Sequence, residues 1–286
     1  MKFRPEINNI LNDRESGSIT LLNRLVNAID SMLIDTASGR GEFTRMIREV
    51  RRKLRHFAAI ENFCADLLVK LELPGTFPAS AIRYISEYRN YWDESSHKIM
   101  ENFLGYSDPG GKNILIHSNS HTIISLLENL KKSGYSFYVY QTLSIPGKEG
   151  KTSFRKLQWL DIKAELINDE EVGRIMPGVD LVLMGCDTLL KDQFLNKTGT
   201  VKIAEKAQEL GVPFVLVTES RKIIRSEDWK MRLHENPLFE WIPLHMVTET
   251  ITEKQLDNLS IFAARIKSFS ESPLMAWVQS SISTSP

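Results

Sequence analysis

From Asn113 onward the chain alternates short apolar runs, many of them β-branched, with segments of helical length. The runs are Asn113–His117, Ser136–Tyr140, Lys163–Ile167, Val179–Gly185, Pro213–Thr218 and His245–Val247. Between them lie Thr122–Lys132, Thr152–Leu160, Asp169–Met176 and Thr200–Leu210. A chain that re-enters a sheet in the same direction needs a crossover of that size. The pattern therefore predicts an α/β, Rossmann-like, mostly parallel sheet with helices on both faces. Such sheets bind ligands beyond the carboxyl ends of their strands. That directs attention to residues 117–121, 141–150, 185–200 and 218–225.

The first third of the chain follows another period. Ile19, Leu22, Val26, Ile29 and Leu33 recur at three- and four-residue steps, as do Met46, Val50, Leu54, Ala58 and Phe63 with small drift. Pro74-Gly75 and Pro78 punctuate, and a further helix is expected from Ala79 to Phe103. A helical bundle over residues 1–105 and a ligand-binding α/β domain over residues 106–286 is the expected organisation.

Within the second part, Val179–Thr200 carries the clearest chemistry. An aliphatic run ends in Gly185-Cys186-Asp187, reading as a buried strand that delivers a carboxylate to its carboxyl edge. Asn196-Lys197-Thr198-Gly199-Thr200 then reads as a helix opening. Free N–H groups and the helix dipole favour an anion there, and a lysine, an amide and hydroxyls would add to it. An acid and an anion cradle at one sheet rim point to a phosphorylated small molecule. Asp187 also has a plain reading as a turn-capping aspartate, Lys197 as a solvated lysine, and Ser118 as a small residue where a helix begins. Cys186, next to Asp187, should point to the opposite face and pack.

Bulk composition excludes several classes. The 286 residues hold 36 Lys+Arg against 36 Asp+Glu, so no overall field draws the chain to nucleic acid or membrane. The near-helical stripe Arg45, Arg48, Arg52 and Arg55 reads as a solvated face. Two cysteines far apart suit a reducing compartment and neither a disulfide framework nor a zinc site. No metal is expected. The first residues lack the apolar core of a signal peptide, and no run reaches membrane-spanning length. A cytoplasmic protein is expected. No GxGxxG or GxxxxGK[ST] is present, so no dinucleotide or other cofactor is called for.

Three blocks resemble the superfamily of the alpha, beta and delta subunits of translation initiation factor 2B, methylthioribose-1-phosphate isomerase and ribose-1,5-bisphosphate isomerase. They are Ile114–Ser120, Asp180–Thr200 and Asn236–Pro243, in the family's order and spacing. The resemblance implies that Asp187 stands at the isomerases' catalytic aspartate and Asn196-Lys197 at a ligand-contacting pair. It places Ser118 where the isomerases carry cysteine, and Pro146, Glu149 and Gly150 in a block whose arginine is here Ile145. Arg40-Gly41, within Gly39–Glu42, is a loose match to a phosphate loop. A thiol with pKa ~8.5 exchanges protons near neutrality, whereas a serine hydroxyl needs a strong base beside it. Loss of the arginine removes a fork suited to phosphate. Three functions follow as alternatives. The first is a phosphosugar- or nucleotide-phosphate-binding protein on an isomerase-like scaffold. The second is an aldose–ketose isomerase of a C1-phosphorylated pentose, using Asp187 with Ser118 or a water. The third is an interaction subunit. A homodimer is expected through the apolar segment Leu259–Ile266.

Overall fold

The computed structural model describes residues 5–13, 16–34, 39–55, 57–72, 77–224 and 237–254. Asn236 and Arg225, and the segment Leu259–Ile266 on which the dimer expectation rests, lie outside the described residues. The helical part comprises α1 (Pro5–Asn12), α2 (Ser18–Ile34), α3 (Arg40–Lys53), α4 (Ala58–Glu72) and α5 (Ala79–Tyr106). Its apolar stripes converge on one core, with Leu22, Leu25, Ile29, Ile47, Val50, Ile60 and Leu67 fully buried. α5 belongs to two cores. Ala81 and Ile85 join the bundle, while Ile99, Met100 and Phe103 pack under the sheet.

The α/β part runs β1 (Asn113–Ile116), α6 (His121–Lys132), β2 (Tyr138–Thr142), α7 (Gly150–Trp159), β3 (Ala164–Ile167), α8 (Val172–Ile175) and β4 (Leu181–Met184). It continues through β5 (Thr188–Leu189), β6 (Gln193–Lys197), α9 (Thr200–Leu210), β7 (Phe214–Val217), β8 (Phe239–Pro243) and β9 (Glu249–Ile251). Six strands form a parallel sheet in the order β3-β2-β1-β4-β7-β9. Side-chain alternation divides each central strand between two cores. Ile114, Ile116, Leu181, Leu183, Val215 and Val217 face α5, α6 and α7; Leu115, Val182, Met184, Phe214 and Leu216 face α8 and α9. Helices therefore cover both faces, as the sequence predicts.

Two elements differ from expectation. Leu244–Met246 is a 3-10 turn rather than part of a strand. The sixth strand follows it, where Thr248 N reaches Phe214 O and Glu249 pairs beside Val215. Asp169–Met176 is not one helix but a capped 3-10 turn, a single α turn and a second 3-10 turn at Met176–Gly178, where Pro177 ends the run. A second, antiparallel sheet, β5-β6-β8, is built on the carboxyl side of β4.

Candidate functional site

Strand order reverses between β1 and β4: the chain moves outward through β2 and β3 on one side, then through β7 and β9 on the other. That switch point opens a crevice above the strand ends. A cavity of about 430 Å³ occupies it, roofed by the bundle. β1 delivers Ser118, β4 delivers Cys186 and Asp187, β6 delivers Asn196 and Lys197, and the loop after β2 delivers Gly147, Lys148 and Glu149. Asp13, Ser16–Thr20, Leu54 and Phe57 close it from the helical side.

The β1 end is fixed by a buried polar network. His117 Nδ1 lies 2.6 Å from Thr142 Oγ1 and Nε2 lies 3.1 Å from the Thr198 carbonyl. A carbonyl only accepts, so Nε2 carries the proton and Nδ1 accepts from the threonine hydroxyl. Burial holds the pKa of His117 below its ordinary value, in keeping with a neutral ring. Ser144 Oγ takes the Ser118 amide at 2.8 Å, and Asp169 takes the amides of Ser144 and Ile145 at 2.7 and 2.6 Å. Ser118, Ser144 and Lys148 all have positive φ, at 69°, 65° and 58°. Left-handed backbone costs a non-glycine residue about 1–3 kcal/mol, and such residues concentrate at functional sites.

Gly150 stands behind the cavity wall and does not line it. A Cβ there would come within 1.9 Å of the Thr142 carbonyl oxygen, so glycine is required for α7 to start against β2. Its neighbour Glu149 is in the cavity. The Glu149 carboxylate lies 2.8 Å from Lys197 Nζ and accepts from Ser118 Oγ at 3.4 Å. Lys197 is only 2% exposed, so this is a buried ammonium with a carboxylate counter-ion.

The anion cradle expected at Asn196–Thr200 is built differently. Asn196 and Lys197 lie on β6, opposite Glu240 and Phe239 of β8, and not on the first turn of a helix. α9 starts only after Gly199, whose φ of 104° turns the chain. Its leading amides already have an anion: Glu240 Oε1 accepts from Gly199 N at 2.9 Å and Val201 N at 2.8 Å. Asn196 Nδ2 donates to Thr200 Oγ1 at 3.0 Å. Lys197 and Asn196 thus reach the cavity as strand residues, and the α9 terminus is occupied from within.

Asp187 sits just past β4, half-buried, with its amide donating to Leu195 O at 2.9 Å. Its Oδ1 accepts from the hydroxyl of Ser18 at 2.7 Å. Ser18 opens α2, and Asp13 orders the loop before it by accepting from Ser16 N at 2.8 Å and Ser16 Oγ at 3.0 Å. The bundle therefore contributes Ser16-Gly17-Ser18. Arg40 and Gly41 begin α3 on the exposed surface, away from the cavity. Arg40-Gly41 follows from the resemblance alone, whereas Ser18 precedes an apolar period, which is itself a helix-start signal.

His121 and Lys222, within the loops 117–121 and 218–225, also line the cavity, as does Lys156, which no sequence signal singles out. Desolvation pulls the pKa of Lys156 below that of a free lysine. Burial pushes the Cys186 thiol up to about 11, so it is an uncharged packing residue that contacts Thr218 Oγ1 at 3.1 Å. The lining carries Lys148, Lys156, Lys197 and Lys222 against Asp13, Glu149 and Asp187, a mixed surface suited to an anion bearing hydroxyls. Among the described residues no cluster of three His, Cys, Asp or Glu side chains is placed to hold a metal ion, and no helix is long and apolar enough to cross a membrane.

Comparison with known proteins agrees with this architecture. Residues 25–234 match the model of the initiation factor 2 subunit family. A putative translation initiation factor eIF-2B subunit 2-like protein of Pyrococcus furiosus is 34% identical over 131 residues, covering 45% of this chain and 48% of the relative. The ribose 1,5-bisphosphate isomerase of Archaeoglobus fulgidus is 31% identical over 145 residues, covering 50% of this chain and 46% of the relative. The chain thus matches about half the length of these curated relatives. The crystal structure of the Pyrococcus horikoshii translation initiation factor eIF-2B superposes with a TM-score of 0.73 at 21% identity, covering 87% of this chain and 94% of that one. A tetrameric eIF2B-beta2-delta2 complex from C. thermophilum gives a TM-score of 0.71 at 14% identity, covering 92% of each chain. On the family match, the chain belongs to the initiation factor 2 subunit family.

Proposed function

We propose that the cavity binds a phosphorylated sugar or a nucleoside monophosphate and turns it over poorly, if at all. One observation carries this reading. Asp187, Glu149, Ser18 and Ser118 converge with the ammonium groups of Lys156, Lys197 and Lys222 in one cavity at the topological switch point. Carboxylates accept from sugar hydroxyls, ammonium groups and helix amides take phosphate, and about 430 Å³ suits a ligand of that size. Asn196 and Lys197 would line the sugar, and Asp187 would accept from its hydroxyls.

A thermal-shift panel tests the reading. Ribose 5-phosphate, ribose 1,5-bisphosphate, methylthioribose 1-phosphate and AMP should stabilise the protein, while ribose and adenosine should not. Ligand at about 100 times its dissociation constant gives ~2.7 kcal/mol. Failure of every phosphorylated compound to shift the transition would refute the proposal.

The second reading is an active aldose–ketose isomerase. It is favoured by Asp187 and by the relative named ribose 1,5-bisphosphate isomerase. Glu149 adds a carboxylate 3.4 Å from the Ser118 hydroxyl, which gives the serine an acceptor for its proton. The third is an interaction subunit resembling the translation factor and working through its surface, favoured by the relatives named as eIF2B subunits. A homodimer in the cytoplasm is proposed under each reading.

A further inference from the structure

Two of the anion-binding features at this sheet edge are already neutralised from within. Glu149 is the counter-ion of Lys197, and Glu240 fills the start of α9. One feature is not. α6 opens at the cavity with Ser120 as its N-cap; Ser120 Oγ accepts from Ile123 N at 3.4 Å, and the His121 and Thr122 amides have no intrahelical acceptor. This terminus sits unusually close to the sheet: a Cβ on Gly185 would lie 2.4 Å from Ser120 Oγ, so glycine there lets the helix end approach the end of β4.

Lys222 points to the same place. Its side chain lines the same cavity and is 3% exposed. Its Nζ reaches only Thr122 Oγ1, on that first turn of α6, at 3.4 Å. Among the described residues no carboxylate lies within ion-pair distance of it. The nearby Glu219 is engaged by Arg221 Nε and by the Thr122 hydroxyl and acts on Lys222 only from beyond ion-pair distance; Glu253 is engaged by Ser220 and Tyr91. A buried ammonium with three donors and one long contact is costly unless something anionic joins it. His121, the first residue of α6, and Lys156 of α7 complete the rim.

We infer that the phosphate group of the ligand binds at the N-terminus of α6, held by its first-turn amides and by Lys222 and Lys156, and not at Asn196–Thr200. The assignment rests on the phosphosugar reading above and specifies it. The phosphate lies at α6, and the sugar extends past Asp187 and Ser18 towards Lys197 and Glu149.

The test uses the full chain, with ribose 5-phosphate as probe and ribose as control, comparing wild type with Lys222→Met and Lys197→Met. Methionine fills the space of the lysine stem without its charge. Lys222→Met should melt above wild type without ligand, because an unpaired buried charge has been removed. It should also bind ribose 5-phosphate at least tenfold more weakly. A purely structural lysine would give the opposite stability change. The inference is overturned if Lys222→Met binds ribose 5-phosphate within twofold of wild type, or if it melts below wild type without ligand. If only Lys197→Met abolishes binding, the phosphate lies on β6; the phosphosugar reading then survives and this placement does not. If wild type itself binds neither ribose 5-phosphate nor any other compound of the panel, both fall.

Discussion

The hydroxyl of Ser18 donates to Asp187 Oδ1 at 2.7 Å, linking the first residue of a bundle helix to the carboxylate at the end of β4 across 169 residues of sequence. The bond fixes the carboxylate rotamer and leaves most of its acceptor positions for a ligand. Ser18 is 3% exposed, so its hydroxyl has little access to water.

Ser18→Ala should therefore cost about 0.5–1.5 kcal/mol of stability, the usual net value of one hydrogen bond. It should also weaken phosphosugar affinity by loosening Asp187. Urea unfolding and calorimetry with ribose 5-phosphate measure the two effects. A variant unchanged in both would show that the contact positions nothing.

Stability should depend on pH through His117. Burial lowers its folded-state pKa, so the unfolded chain binds a proton that the folded chain refuses. The contribution is fully present above the unfolded value of ~6.5 and is lost as pH falls through and below it. The slope is up to ~1.4 kcal/mol per pH unit for one group. His121 is shifted in the same direction and adds to it. Urea midpoints should fall between pH 6.5 and 5, and His117→Gln should flatten part of that fall. Equal slopes in wild type and variant would contradict the assignment.

Much of this was legible because it is local. The unbroken apolar runs Ile114-Leu115-Ile116 and Leu181–Met184 mark strands buried on both faces, and the Gly185-Cys186-Asp187 stop marks a strand end. What the sequence hid is non-local. Nothing near Asn196-Lys197 announces that Glu240 of β8 occupies the α9 terminus, or that Glu149 neutralises Lys197. Gly199 also looked like part of a helix opening, yet it separates a strand from the helix. Lys222 follows β7 in a short 3-10 turn, and only the tertiary fold shows its burial against α6. Arg40-Gly41 rests on a two-residue match, which carries no position in space, and lies on the exposed start of α3.

Catalysis should be weak in wild type. Proton transfer by one positioned acid or base is typically worth ~10²–10⁴-fold, and serine replaces the thiol of the resembled isomerases. Turnover of ribose 1,5-bisphosphate should be near the detection limit. It should rise in Ser118→Cys and disappear in Asp187→Asn on either background. The serine has Glu149 beside it, so Glu149→Gln should lower any residual rate as well. Wild-type turnover at ~1–10³ s⁻¹, the ordinary enzyme range, would promote the isomerase reading over the binding one.

A phosphorylated sugar bound between the bundle and the strand ends should touch both. Amide hydrogen exchange with and without saturating ribose 5-phosphate tests it directly. Protection should appear together in residues 16–20 of the bundle, 118–123 at the start of α6, 145–149 after β2 and 186–197 between β4 and the end of β6. Protection restricted to other surfaces, or no protection at saturating ligand, would contradict the account.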